Sequence, residues 1–421
     1  MSFKWSTLGE LSIGGGKYGI SAPAVEFDRN LPAYLRITDI NDDGSLNLSG
    51  RKSVADPLAF DYMLQEGDIV FARTGSSTGR NYYYDLRDGD FAFAGFLIKF
   101  SLDKEKVNPR FIKYYVQSKP YWDWVSSFNT GSTRGNINAK TYAQMPVPLP
   151  DRDVQDAIVC LCDSLSNKIR INNRLNDYLA ELLNALFVDM LNDADASWER
   201  LSLLDIASYK NGLAMQKFRP APGDPGLPVL KIKELGQGVC TPDSERCAST
   251  IDESVKIHDG NLVFSWSGTL LLDFWAGGDA GLNQHLFKVT SDRYPSWLYY
   301  LWTKHHMDRF IMLAKDRATT MGHIKRSALA ESEVLIPPVE QLEVLTRRMQ
   351  PIVDELVVNK IQSRNLADLR DVLLPKLMSG GIDISNVRLS MPPNNHLPEH
   401  RPATSELFPP SQGERRPRWK R

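Results

Sequence analysis

The sequence predicts an α+β protein: two mixed α/β blocks, each followed by one long helix, with the second half repeating the first. Three observations predict it. Residues 151–190 carry apolar side chains at alternating four- and three-residue steps, residues 339–378 do the same, and short motifs of the first 150 residues return beyond the first helix at nearly constant offsets.

Composition sets the class. The 421 residues suffice for two or three domains with ample cores. With 42% hydrophobic and 24% charged residues, the profile is that of a soluble globular protein. Four cysteines and no export signal predict a reduced, cytoplasmic setting. No apolar run approaches the roughly 20 residues of a membrane span. Net charge is −1, so any contact with nucleic acid has to come from local basic patches.

The first block, 1–150, reads as more strand than helix. Residues 33–40, 68–72 and 91–100 are rich in β-branched and aromatic side chains, and turns such as Asn41-Asp42-Asp43-Gly44 and Asp88-Gly89-Asp90 bound them. Residues 111–125 read as a helix begun by Asn108-Pro109. Pro146-Val147-Pro148-Leu149-Pro150 is stiff and leads into the first long helix, 151–192. Val154, Ile158, Leu161, Leu165, Leu175, Leu179, Leu182 and Leu186 form a coiled-coil seam on it. At about 1.5 Å per residue it would run roughly 60 Å, more than an ordinary domain needs.

The second block, 193–336, restates the first. Gly67-Asp68-Ile69-Val70-Phe71 returns as Gly260-Asn261-Leu262-Val263-Phe264 (260 − 67 = 193), and Thr74-Gly75 as Ser267-Gly268. Thr133-Arg134-Gly135-Asn136-Ile137 matches Thr320-Met321-Gly322-His323-Ile324, with 324 − 137 = 187. The second long helix, 337–381, has a seam of Leu342, Leu345, Met349, Ile352, Leu356, Leu366, Leu369, Leu373 and Leu377. Asn172 interrupts one seam and Asn359 the other, again 187 apart (359 − 172), and a buried asparagine there fixes register at a cost in stability. Pro351 predicts a kink near Gln350, and Pro375 with Ser379-Gly380-Gly381 predicts the helix end. Arg174, Asp177, Arg364 and Asp368 read as solvated-face charges. Residues 382–421, rich in proline and closing on Arg415, Arg416, Arg418, Lys420 and Arg421, predict a disordered basic tail.

Catalytic patterns fail on inspection. Gly14, Gly16 and Gly19 satisfy G-x-G-x-x-G, but no acidic ribose-binding residue follows in a βαβ unit; they read as a glycine-rich loop. Residues 75–80 lack the lysine and hydroxyl pair of a P-loop. Asn108-Pro109-Arg110-Phe111 resembles the amino-methyltransferase pocket in outline only. Cys160 and Cys162 lie within one helix, and Cys240 and Cys247 have no second ligand pair. Ser265-Trp266-Ser267-Gly268 is no hydrolase elbow. No metal, cofactor or nucleophile is predicted in this chain.

A binder is expected instead, and corresponding loops mark where. In the first block Lys17, Tyr18, Arg73, Thr74, Ser76, Ser77, Arg80, Asn129, Thr130, Ser132, Thr133 and Arg134 gather in stretches free of acidic residues. Lys210, Asn211, Lys217, Ser265, Ser267, Arg317, Thr319, Thr320 and His323 are their counterparts. Such side chains donate to phosphate oxygens and base edges. A lone loop of this kind could be ordinary solvent-facing chain. Matching loops with different side chains suggest one scaffold presenting two different readers.

With these residues in place, the sequence resembles the DNA-specificity subunit of type I restriction–modification systems. The resemblance rests on the paired blocks, Gly67-Asp68-Ile69-Val70 with Thr74-Gly75, Pro148-Leu149-Pro150, Ala185-Leu186-Phe187-Val188-Asp189, Ile336-Pro337-Pro338 with Glu340-Gln341, and Leu373-Leu374-Pro375-Lys376-Leu377-Met378-Ser379-Gly380. Asp153-Val154-Gln155 departs from the usual pair of acidic residues before glutamine. The resemblance covers residues 1–381. It implies that 1–150 and 193–336 are target-recognition domains, each reading half of a bipartite, asymmetric site in double-stranded DNA. It also implies an antiparallel coiled coil of the two helices as spacer. Adenine methylation, translocation and cleavage, with S-adenosylmethionine, ATP and Mg, would belong to two methyltransferase subunits and to restriction subunits. The alternative is a coiled-coil protein–protein scaffold without sequence-specific DNA binding.

Overall fold

The computed structural model describes residues 3–128, 135–315 and 324–384. The chain divides into two compact units. One comprises Met1–Gln117 and Tyr121–Ser164 with the described residues after 379, and the other Ser118–Pro120 and Leu165–Ser379.

In the first unit the strands are β1 (Lys4–Thr7), β2 (Lys17–Tyr18), β3 (Ala24–Glu26), β4 (Ala33–Leu35), β5 (Lys52–Val54), β6 (Asp68–Ala72), β7 (Asn81–Tyr83), β8 (Phe91–Phe93), β9 (Leu97–Ser101) and β10 (Pro146–Leu149). They form a pair, β1-β10, and two four-stranded sheets ordered β2-β9-β6-β7 and β3-β5-β4-β8. The first sheet is antiparallel, whereas β4 and β8 run parallel with Ala33 opposite Phe91. All five residues of β6 are buried, as its apolar run requires of a central strand. Val70, Ala72, Tyr82, Phe91, Phe93 and Leu97 pack into one core.

The second unit carries β11 (Glu199–Ser202), β12 (Ser208–Asn211), β13 (Leu227–Leu230), β14 (Arg246–Cys247), β15 (Lys256–Ile257), β16 (Leu262–Ser265), β17 (Leu272–Phe274), β18 (Ala280–Leu282), β19 (Leu286–Thr290) and β20 (Glu333–Ile336). Here β11 pairs with β20, and the sheets run β12-β19-β16-β17 and β14-β13-β18-β15. β13 pairs with β18 in parallel, and buried β16 occupies the place that β6 holds in its own sheet.

Two glycines show why the chain closes this way. Gly19 follows β2, and a Cβ there would lie 2.2 Å from the Phe93 carbonyl oxygen. Gly212 follows β12, and a Cβ there would lie 2.1 Å from the Leu282 carbonyl oxygen. Only glycine lets the backbone cross that closely, so Gly19 serves packing rather than a dinucleotide. The two positions differ by 212 − 19 = 193.

Several elements differ from the sequence reading. The strand expected over 91–100 breaks at Ala94–Phe96, where Gly95 donates its N–H to the Ile20 carbonyl. The strand expected over 33–40 becomes β4 plus a 3-10 turn, Ile37–Asp39. The helix expected over 111–125 is two helices, Pro109–Tyr115 and Lys119–Ser126, because Pro120 has no N–H to continue the first. Asn108 caps the former, its side chain accepting the Arg110 N–H.

The long helices are Arg152–Asn192 and Val339–Met378. The second runs on through Pro351 and ends three residues after Pro375. The buried residues of the first are Gln155, Ile158, Val159, Cys162, Asn172, Leu183, Phe187 and Met190, a stripe rotated from the expected seam; Leu175 and Leu182 are 38% and 47% exposed. In the second helix Leu369 is 46% exposed. The aromatic core of the second unit explains the rotation. Leu183, Phe187 and Met190 join Trp198, Trp297, Trp302, Met349, Val353 and Leu356 there, and Phe187 meets Trp302 edge-on with centroids 5.1 Å apart. Asn172 donates to the Asn359 carbonyl oxygen at 3.4 Å and to Gln362 Oε1 at 2.9 Å, while Asn359 donates to Asn176 Oδ1 at 3.1 Å. Among the described residues no helix is long and apolar enough to cross a membrane.

Candidate nucleic-acid interface

At the end of β6 the chain leaves the buried strand and Arg73 turns toward the surface. Its backbone is fixed on both sides: its N–H donates to the Phe96 carbonyl at 3.1 Å, and its carbonyl accepts the Ile137 N–H at 2.9 Å. Its guanidinium lies 5.2 Å from the ring centre of Tyr18 and 5.8 Å from that of Phe96. Those rings are 42% and 54% exposed. Tyr18 is itself steadied by the Ala139 N–H, which donates to its hydroxyl at 3.2 Å. Nε of Arg73 is buried without a hydrogen-bond partner, and no carboxylate pairs with the guanidinium among the described residues. Cation–aromatic stacking therefore holds the group in place while leaving its outer N–H donors uncommitted.

The second unit builds the same corner from other side chains. Trp266 stands at the end of β16, offset from Arg73 by 266 − 73 = 193. Its carbonyl accepts the Ile324 N–H at 2.9 Å, as that of Arg73 accepts the Ile137 N–H. Its indole lies against His285 and Phe287, with centroids 5.9 Å away in each case. His285 occupies the turn before β19, as Phe96 does before β9, and its Nδ1 is 3.0 Å from Ser267 Oγ. Asn211 takes the place of Tyr18 on the neighbouring strand, exposed and opposite Phe287.

The expected site residues distribute around these corners. Lys17, Tyr18, Lys210 and Asn211 are exposed on β2 and β12. Thr74 bridges to Asn136 through the backbone. Ser76 is exposed on the Gly75–Ser77 turn, while Ser77 is buried. Arg80 is tied down, with Nε donating to Asp42 at 2.6 Å and a terminal nitrogen donating to the Ile40 carbonyl at 3.2 Å. Ser265 is fully buried and spends its hydroxyl on the Ser267 and Thr269 carbonyls, closing its own turn. Lys217 ends an exposed turn whose Met215 packs with Val229 and Cys247 of the other sheet. Asn129, Thr130, Ser132, Thr133, Arg134, Arg317, Thr319, Thr320 and His323 lie outside the described residues. Phe96, Trp266 and His285 escaped the sequence reading, which weighted basic and hydroxyl side chains. The 193-residue offset places Trp266 opposite Arg73 and was the available signal.

Other groups are structural. Asp68, buried in β6, accepts from Lys99 Nζ at 2.8 Å and Ser101 Oγ at 2.6 Å. Burial pushes the Cys240 thiol up to about 12, as for an unreactive side chain. Arg364, expected as a solvated charge, forks onto Asp259 at 2.7 and 3.0 Å. Burial alone would raise the Asp259 carboxyl; Arg364 and the Gly278 N–H outweigh it and hold it below its ordinary value. Among the described residues no group of three or more His, Cys, Asp or Glu is placed to hold a metal ion.

Residues 32–181 match the family model of the type I restriction modification DNA specificity domain. The chain resembles that domain over these residues. Over 316 residues it is 23% identical to the type I restriction enzyme MjaIX specificity subunit of Methanocaldococcus jannaschii, covering 68% of this chain and 72% of that one. It is 19% identical to the HindI specificity subunit of Haemophilus influenzae, covering 89% of this chain and 99% of the relative. The crystal structure of a type I system S subunit from M. genitalium is similar in fold, with 17% identity, coverage of 89% and 96%, and a TM-score of 0.50. Both corners have thus been found in a chain whose relatives are named for specificity, and Arg73 belongs to the stretch that the specificity-domain model matches.

Proposed function

We propose that this chain is the sequence-specific DNA-binding subunit of a type I restriction–modification complex, with 1–150 and 193–336 as target-recognition domains that each read half of a bipartite, asymmetric site. One observation carries the reading. The same corner of the same sheet order holds Arg73, Tyr18 and Phe96 in one unit and Trp266, Asn211 and His285 in the other, so a shared frame presents different chemistry. Two readers on one frame suit a site with unlike halves. The scaffold reading accounts for neither the unlike corners nor relatives named as specificity subunits.

The long helices, 151–192 and 337–381, are the spacer. Asn172 bonds forward to 359–363 while Asn176 bonds back to 356–359, which supports an antiparallel coiled coil and a duplicated frame. Outward stripes remain: Ile171, Leu175, Tyr178 and Leu182 on one helix, and Val358, Leu369 and Val372 on the other. Such apolar strips suit docking of two methyltransferase subunits. In this reading the chain is non-catalytic and cytoplasmic. Adenine methylation and cleavage, with S-adenosylmethionine, ATP and Mg, belong to the methyltransferase and restriction subunits.

Methylation mapping tests it. Exchanging 193–336 for the block of another specificity subunit, in a genome carrying the system, changes one half of the methylated site and spares the other. Change in both halves, or in neither, overturns the two-reader reading.

A further inference from the structure

The geometry points to Arg73 as a guanine-reading group, held ready between Tyr18 and Phe96; this rests on the DNA-recognition reading above. Four features of the corner support a base contact. The guanidinium carbon lies 5.2 and 5.8 Å from the ring centres of Tyr18 and Phe96, so two cation–π contacts restrict its position before any ligand arrives. Its backbone is pinned on both sides by Phe96 and Ile137, so the side chain starts from a fixed point. No carboxylate neutralises it among the described residues, whereas Arg80, seven positions along the same β6–β7 turn, is bound to Asp42. Nε is buried and unpartnered, so the inner edge faces protein and donation is left to the terminal nitrogens.

A planar fork with two outward N–H donors matches the O6 and N7 acceptors that guanine shows in the major groove. A phosphate would also accept such donors, yet it needs no restrained position, and exposed Lys17 beside Tyr18 is suited to that contact. The exposed rims of Tyr18 and Phe96 flank the fork and would exclude water from the contact. At the matching corner the second unit offers an indole and an imidazole, with Ser267 Oγ on His285 Nδ1. Among the described residues no guanidinium stands at that corner, so the two corners differ in the group they present. Phe96 acts as a positioning residue, since it bears on DNA through Arg73.

The test uses the assembled complex and duplexes selected from a randomised pool, comparing wild type with Arg73→Ala, Arg73→Lys and Phe96→Leu. Arg73→Ala should relax one G·C position of one half-site, with about ten- to hundredfold loss of discrimination there and little change elsewhere. Arg73→Lys keeps the charge and loses the fork, so it should fall in between. Phe96→Leu should relax the same position more weakly. Replacing that guanine with a deaza analogue lacking the N7 acceptor should weaken wild type and leave Arg73→Ala unaffected, which needs no assumption about variant folding. A uniform loss across all sequences, with a shallower salt dependence, makes Arg73 a phosphate contact and overturns the proposal. Unchanged selectivity overturns it as well. Absence of any sequence preference in the wild-type complex would instead overturn the DNA-recognition reading beneath it.

Discussion

Asn359 gives its side-chain amide to Asn176, Nδ2 to Oδ1 at 3.1 Å, while Asn172 places its own amide 3.4 Å from the Asn359 carbonyl oxygen. Asn172 and Asn359 are buried, at 0% and 4% exposure, among helix positions that are otherwise largely apolar. A buried polar group costs more when it loses its partner than when the pair is replaced together. Asn359→Ala should therefore lower unfolding stability by about 1–2 kcal/mol, through a lost bond and a small void. The double change Asn176→Leu, Asn359→Leu should be neutral or stabilising. Denaturant titration of the three proteins checks this; a double variant worse than the single one would contradict the pairing argument.

The outward stripe makes a second prediction. Leu182 and Leu369 are 47% and 46% exposed, so an arginine at either place disturbs no core. Leu182→Arg and Leu369→Arg should leave the melting temperature of the chain unchanged within about 2 °C. Each should weaken co-purification with methyltransferase subunits about tenfold or more, as expected when a charge enters an apolar interface. Normal assembly by both variants would place the partner elsewhere.

His258 supplies a pH-dependent link. Its Nδ1 lies 2.8 Å from Asp279 and its Nε2 2.6 Å from Glu253, and these hydrogen bonds, Asp279 first, raise its pKa above 6.5. A raised folded value means that the stabilisation is fully present below the unfolded value and fades as pH climbs through the folded one. His258→Gln should thus cost stability below about pH 6.5 and become indistinguishable from wild type at alkaline pH. The site is largely exposed, so the difference should stay under about 1 kcal/mol. Denaturation curves across pH read it directly; a difference that grows with pH has the wrong sign.

The repeated motifs made much of the architecture legible, because a central strand buried on both faces must be continuously apolar. Residues 69–72 and 262–264 carry that pattern, with polar Asp68 and Ser265 at the strand ends. The long helices were equally plain from their period. Which side of the first one would be buried was not. A straight helix drifts against a 3.5-residue seam, and the pull of Trp302 on Phe187 turns Leu182 outward. The corners were half legible. Arg73 and Tyr18 announce themselves by charge and position, but Phe96 becomes a wall only once Gly95 breaks the strand. Ser265 looked like a donor to DNA and is consumed by its own turn, a bond that depends on where Ser267 and Thr269 fold back.

The spacer prediction follows from helix geometry. Asn172 and Asn176 meet the second helix over 356–363, and in the proposed spacer the length that the helices share sets the gap in the recognised site. Removing one facing heptad from each keeps the side-chain register and shortens the pair by roughly 10 Å, at about 1.5 Å per residue. At about 3.4 Å per base pair, the gap in the methylated site should shrink by about three base pairs, with both half-sites unaltered. Deleting a heptad from one helix alone leaves unmatched faces and should abolish methylation rather than shorten the gap. Methylome sequencing of cells carrying each variant separates these outcomes. An unchanged gap after the paired deletion, with methylation intact, would show that something other than helix length sets the spacing.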